Sequence, residues 1–512
     1  MQINYRKQLL WLLLIISIIK IAIAGLVELG NDEVYYWTYA LQPDYNHFDH
    51  PPMVGLLIRL TSLNLHWASG IALRLGAIIS CAISSYLIFL TGKTIANEKT
   101  GWYAALIYNA SVYAGFIAGL FILPDSPQMP FWTAALYLMS QIIILQKDKR
   151  LSYWLALGLL IGLACLCKVH GLYLWAGFGL FILLKRTKWL LNLRIYLGII
   201  VTLLCFFPIV YWNIQNDFIT YRFHSERVSH TSLLWDGLLQ EILGEFAYQN
   251  PVMYIGIIAA AVYFIRNKIK LKSDINTWLI CMSVPMILFF WLIALLNPSL
   301  PHWSGPGFLP LYFIAAIYLS EKTNKLYPLF IKIGGGIVMF VLLAGVLLAN
   351  FAPSHVGGSD KMENYGANSL TLDISGWQEF GKAFKTLEES DVASGMMKTN
   401  APILVSNWFP AGHLLFYVAS QTGQPVIGLG KLTDIHKFAW LNNQMPPIQL
   451  GDDAYCIVPS NLPVDVTALY GAFYTSIQSP VIINQVRGGK MVRYFKIYRL
   501  KQCKLLPPSI IN

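Results

Sequence analysis

The sequence predicts an all-α polytopic membrane protein of about eleven transmembrane helices, followed by a C-terminal external α/β domain. Three observations predict it. Hydrophobic residues make up 56% of the 512-residue chain and charged residues only 12%, against about 25% charged in soluble globular proteins. Mean hydropathy is +0.53, and apolar runs of bilayer-crossing length recur as far as residue 350. From residue 351 hydropathy falls to soluble levels, and Gly, Ser and Asp become frequent. The expected division is therefore residues 1–350 as a membrane region with external loops and 351–512 as an external domain.

The elements follow in order. Tyr5-Arg6-Lys7 precedes an apolar run over 9–29, and no small-residue cleavage site follows a short apolar core, so the run reads as a retained span. Its basic flank places the N-terminus inside and residue 32 outside. Residues 53–65 are short and amphipathic, as in a helix lying on the membrane surface. Further spans are expected at 67–92, 102–123, 128–145, 151–168, 172–184, 195–211, 251–265, 278–296, 308–319 and 329–350. Alternate loops carry Lys93 with Lys99, Lys147 with Lys149 and Arg150, Lys185 with Arg186 and Lys188, Arg266 with Lys268, Lys270 and Lys272, and Lys322 with Lys325. All fall on the side of Arg6 and Lys7, which is the positive-inside pattern. That pattern explains most of the net charge of +11 without a nucleic-acid partner. An odd number of spans sends the tail outside. Within it, strand-length runs at 402–405, 425–427 and 454–458 alternate with helical patterns around 377–387 and 413–418. Of seven cysteines, Cys81, Cys165, Cys167, Cys205 and Cys281 lie in apolar segments as small core residues. Cys456 and Cys503 lie in the tail and can pair in an oxidising compartment.

The external side collects the residues able to do chemistry. Residues 31–52 set Asp32 and Glu33 beside Tyr35, Tyr36, Trp37 and Tyr39, then Asp44, His47, Asp49 and His50, closed by Pro51-Pro52. Asp32 and Glu33 can serve as general base or cation ligands, or simply cap and charge the first turn of an interfacial helix. Asp125 can join them, or cap the next span with Pro127 in its first turn. His50 can meet a phosphate or sit in a rigid turn. Arg222, His224 and Arg227, beyond a span end, can hold a lipid phosphate or face water. Lys168, with His170, ends an apolar segment where a snorkelling lysine is ordinary, and Arg74 lies inside a span and needs a partner there. The chain has no Gly-rich phosphate cradle, no GxSxG elbow and no HExxH, so nucleotide-driven chemistry has no support.

Taken together, Asp32-Glu33-x-Tyr35-Tyr36-Trp37, Phe48-Asp49-His50-Pro51-Pro52-Met53, Pro124-Asp125-Ser126-Pro127, Lys168, Tyr211-Trp212-Asn213 with Asn216-Asp217, and His302-Trp303-x-Gly305-Pro306 form a familiar order. The membrane region resembles the GT-C glycosyltransferases that use polyprenyl-phosphate sugars. It is similar to the bacterial branch shared by protein O-mannosyltransferase-like enzymes and the lipid A aminoarabinose transferase. The resemblance implies an inverting transfer on the external face from undecaprenyl phosphate to a lipid or protein acceptor, in a multi-pass inner membrane protein. Asp32 matches the family's catalytic aspartate and Asp125 its second acid, while Glu33 tunes Asp32 or helps it hold a divalent metal. No other cofactor is implied. His50, Lys168, Arg222 and Arg227 are the candidate contacts to the donor phosphate. Tyr35, Tyr36, Trp37, Asp49, His302 and Trp303 are candidate substrate-pocket residues, the rings offering flat faces to a sugar.

A transporter or flippase of lipid-linked sugars is the main rival. It would place ionisable groups near the midplane on broken helices, often within inverted repeats, whereas these acids gather at span ends and no repeat is visible. A non-catalytic scaffold would leave the acids of 31–52 unexplained.

Overall fold

The computed structural model describes residues 3–226, 233–266, 273–297, 299–508 and 510. The chain forms two compact units, Met1–Ala22 with Asp44–Val341 and Ile23–Pro43 with Leu342–Asn512. The second unit thus takes in residues 23–43, which hydropathy had assigned to the membrane region. The helix Asn31–Leu41 explains this. Eight consecutive residues, Glu33 to Ala40, are buried, and a helix covered all round needs neighbours on every side.

The first unit is helical, and the protein is a multi-pass membrane protein. Among the described residues, five helices are long and apolar enough to cross a bilayer: Tyr5–Leu26, Gly70–Ile95, Leu193–Gln215, Ser273–Leu296 and Leu329–Phe351. Two bent pairs raise the number to seven. Shorter apolar helices, Leu151–Cys167 and Val169–Lys185, occupy two more of the expected segments. The expectation of about eleven full spans therefore exceeds what length and composition show.

One expected span, 102–123, is broken. Glu98–Ala110 and Val112–Leu120 meet at 75°, because Ser111 adopts an extended backbone and its hydroxyl accepts the Ala114 N–H, starting a new helix. Similarly, Trp235–Tyr248 and Pro251–Ile265 meet at 102°, where Asn250 has φ +68° and Pro251 opens the second helix.

Close helix packing in this unit rests on small residues. A Cβ on Gly158 would lie 2.0 Å from the Gly198 carbonyl oxygen, so helices Leu151–Cys167 and Leu193–Gln215 meet backbone to backbone, as small residues permit in membranes.

The second unit is built on a six-stranded mixed sheet. Its strands are β1 (Ile403–Val405), β2 (Val426–Gly428), β3 (Ala454–Pro459), β4 (Tyr474–Ile477), β5 (Val481–Arg487) and β6 (Lys490–Cys503). The order is β2-β1-β3-β6-β4, with β5 also paired to β6. β1 is parallel to β2 and β3, and β6 is antiparallel to β3, β4 and β5. The helix Trp377–Ala393 and the helical stretch Leu414–Ala419 match the helical patterns expected around 377–387 and 413–418. Cys456 and Cys503 do not pair, since both are free and buried. The register separates them: Cys456 stands opposite Tyr498 on one side of β6, and Cys503 opposite Tyr474 on the other.

Replacing Gly158 with Leu is expected to abolish folded, monodisperse protein in detergent. Gly179→Leu, where an added Cβ meets nothing within 4 Å, should leave it intact. Size-exclusion chromatography of the two variants checks this.

Candidate active site

In the first unit the chemistry gathers around Asp125. This residue opens the helix Asp125–Ile144 and is only 2% exposed. Lys168 follows the last residue of the helix Leu151–Cys167 in an extended conformation, its N–H bonded to the Ala164 carbonyl. Gln128, three residues after Asp125, donates to the carbonyls of both Ala164 and Lys168 at 3.0 Å. That double bond fastens one helix start to the other helix end. The Lys168 ammonium accordingly donates to both oxygens of Asp125, at 3.2 and 3.0 Å, and the Tyr113 hydroxyl adds a third bond at 2.9 Å. Each buried charge meets its opposite, as burial requires.

Histidines surround this pair. His50 and His302 both lie close enough to feel the charges of Lys168 and Asp125. The His170 ring is 5.9 Å from that of Trp132. His302 stands 5.9 Å from the Tyr248 ring, and Trp303 is half-buried, 6.2 Å from Phe290. Gly305, in the same motif, gives Tyr113 its room, since a Cβ there would lie 2.4 Å from the Tyr113 ring. The loop carrying His50 is held from the span end: Trp212 donates to Asp44 at 2.8 Å, and Thr220 bonds the His47 carbonyl at 3.1 Å. His224 meets the Asp49 carbonyl at 2.9 Å. Trp212 and the helix Ile219–Glu226 therefore anchor that loop.

Burial pushes both His50 and His302 down to about 4, with the Lys168 charge acting in the same direction and Asp125 against it. Both are neutral at pH 7, so His50 can offer a phosphate a hydrogen bond but no positive charge. Arg222 is exposed on the helix Ile219–Glu226, and Arg227 lies outside the described residues.

Asp32 and Glu33 belong to the second unit and have opposite surroundings. Glu33 is 2% exposed, and its Oε2 accepts the Gly30 N–H at 2.9 Å at the start of its own helix. Asp32 is exposed. Tyr35, Tyr36 and Trp37, expected to offer ring faces, are buried instead. Tyr35 packs on Trp408 at 5.0 Å and Trp37 on Phe416 at 5.4 Å. Among the described residues no group of three or more His, Cys, Asp or Glu is arranged to hold a metal ion. Asp32 and Glu33, the pair considered for a divalent metal, thus have one Glu33 oxygen engaged by a backbone N–H.

Tyr113 and Gln128 were not foreseen. Tyr113 lies inside an apolar run, where only the polar interruption at Ser111 signals a break, and Gln128 is the first residue of the expected span 128–145.

Residues 49–212, which include His50, Asp125 and Lys168, match the family model of dolichyl-phosphate-mannose-protein mannosyltransferases. The chain is 24% identical over 312 residues to a lipid A galacturonosyltransferase of Rhizobium johnstonii, covering 59% of this chain and 63% of that protein. It is 23% identical over 330 residues to undecaprenyl phosphate-α-4-amino-4-deoxy-L-arabinose arabinosyl transferase 2 of Proteus mirabilis, covering 61% and 57%. The chain thus spans about three fifths of the length of these curated relatives. The crystal structure of ArnT from Cupriavidus metallidurans bound to undecaprenyl phosphate matches with a TM-score of 0.60 at 14% identity, over 96% of this chain and 98% of that one. The fold is that of a GT-C membrane glycosyltransferase. The sequence likeness is thus to transferases named for lipid A or for polyprenyl-phosphate sugars, and the fold likeness is to ArnT.

Two outcomes are expected of the site. Lys168→Met or Asp125→Leu alone should destabilise the protein by about 3–5 kcal/mol, and the double variant by much less, because each single change strands a buried charge. Thermal unfolding in detergent measures both. Stability should also fall as pH drops from about 6.5 towards about 4, since the unfolded chain takes up protons that native His50 and His302 refuse. The double variant His50→Gln/His302→Gln should flatten that limb.

Proposed function

We propose that this protein is an inverting glycosyltransferase that moves a sugar from undecaprenyl phosphate to a hydroxyl of a cell-envelope acceptor on the external membrane face. The observation that carries the proposal is the buried Asp125–Lys168–Tyr113 unit inside the segment that matches the mannosyltransferase family. An ammonium has three N–H donors, and two go to Asp125. The third can meet the donor phosphate, whose charge grows as the sugar leaves, which is electrostatic catalysis by a fixed cation. Neutral His50 and His302 add uncharged hydrogen-bond donors beside it. Asp125 then acts by holding Lys168. Asp32 is exposed and corresponds, by resemblance of its motif, to the catalytic aspartate of the GT-C enzymes; in this reading it takes the acceptor proton.

The relatives act on lipid A or are named for an undecaprenyl-phosphate sugar. Lipid A or other lipopolysaccharide, a protein hydroxyl and another envelope glycan are the acceptor classes in view. The same reading sets the N-terminus in the cytoplasm and residues 351–512 in the periplasm, in the inner membrane.

Asp32→Asn should abolish transfer, by about 10²-fold or more, with folding unchanged, assayed with purified lipid-linked donor. Full activity would remove Asp32 from its role. Mass spectrometry of lipid A and envelope proteins from deletion and complemented strains should show one sugar missing. A flippase would instead move the lipid without forming a glycosidic bond.

A further inference from the structure

The reaction leaves the external α/β domain without a part to play, and residues 28–34 suggest one. The Glu28 carboxylate accepts the N–H groups of Trp377 at 2.8 Å and Gln378 at 3.0 Å, at the start of the helix Trp377–Ala393, where a negative charge is favoured. Leu29 donates its N–H to the Tyr417 hydroxyl at 2.6 Å. Asn31 is held from two sides: its Oδ1 faces His413 Nε2 at 2.8 Å, and its side chain also hydrogen-bonds Asp373.

His413 is fully buried and lies flat on Trp377, ring centroids 4.2 Å apart and planes 3° from parallel. The Arg493 guanidinium sits over the same tryptophan at 4.3 Å, itself fixed by Gln485 and the Ser375 carbonyl. An amide oxygen only accepts, so His413 carries its proton on Nε2, and its Nδ1 has no hydrogen-bond partner among the described residues. The helix Trp408–His413 also abuts the acid helix directly: a Cβ on Gly412 would lie 2.9 Å from Val34 Cγ2. The contacts of Glu28, Leu29, Asn31 and Val34 all lie within a few residues of Asp32, which is exposed.

Resting on the reading of Asp32 as the acceptor's base, we infer that His413 and Asn31 are positioning residues for it. The α/β domain is the mount of the acid helix, and the Nε2–H···Oδ1 bond is the last link before the carboxylate. A stacked, buried imidazole cannot swing, so Asn31 and the residue after it are fixed in height and direction. Placement matters because about 1 Å of error can cost about 10²-fold in rate.

The test uses the full-length purified enzyme, with kcat and KM for the lipid-linked sugar donor measured beside thermal unfolding. His413→Phe keeps a ring on Trp377 but removes the N–H. It should lower kcat by at least about tenfold with donor KM and melting temperature unchanged. His413→Gln, which restores an N–H, should recover most of the rate. Asn31→Ala should match His413→Phe, and the double variant should be no worse. If His413→Phe does not fold, Asn31→Ala decides by the same criterion. Wild-type kcat in the folded variants, or a loss that follows melting temperature alone, overturns the mount. Activity in Asp32→Asn overturns instead the reading of Asp32, so the two failures can be told apart.

Discussion

Lys168 and Asp125 are each too costly to bury alone, and much of the first unit is arranged so that neither is. Their ion pair needs the end of one helix and the start of another at a fixed distance. Gln128 sets that distance by bonding the Ala164 and Lys168 carbonyls. Tyr113 can complete the Asp125 shell only because its own helix is broken at Ser111 and because Gly305 offers no side chain to displace the ring. One buried charge pair thus constrains four separate segments. Changes at distant positions such as Gly305 are felt at the carboxylate through packing, without any contact to it.

Broken helices inside a membrane free backbone groups that lipid cannot satisfy. Here the two breaks serve each other. Asn250, at the second, donates to the Ala110 carbonyl at the end of the first and to the Gly334 carbonyl, at 2.9 and 2.8 Å. Gln249 accepts from Ser111 at 3.3 Å and from Tyr312. Both bends are therefore built features, which hold Tyr113 on one side and, through Tyr248, the His302 ring on the other.

How far the sequence could be read follows from the same physics. Strands β1 to β3 were legible because all three are apolar and buried. β6 was not, because it carries Lys490, Arg493, Lys496, Arg499 and Lys501. Its burial is possible only through long-range partners, such as Asp391, which takes two bonds of 2.7 Å from Arg499. Hydropathy cannot anticipate a charge neutralised by a residue a hundred positions away. The candidate residues Asp125 and Lys168 were legible as polar groups at span ends, but their pairing was not. Nothing in the sequence sets the register between helices Asp125–Ile144 and Leu151–Cys167. The neutrality of His50 was not legible for a related reason: burial depends on neighbours that only the fold supplies.

Asp32 and Glu33 show how far adjacent residues of one type can diverge. On a helix, neighbours point about 100° apart, so when one face of the first turn is covered the next residue can remain open. Glu33 points back to the Gly30 N–H, which engages one of its oxygens in capping the helix. That commitment also fixes the first turn, and with it the direction in which Asp32 leaves the helix. The buried rings of Tyr35 and Trp37, packed on Trp408 and Phe416, hold the same helix along its length. A reactive carboxylate on a loop would need order imposed at the moment of reaction. Here order is built in beforehand by a cap, an aromatic seam and a histidine bond, so Glu33 and the aromatics set the direction of Asp32 through the backbone that carries it.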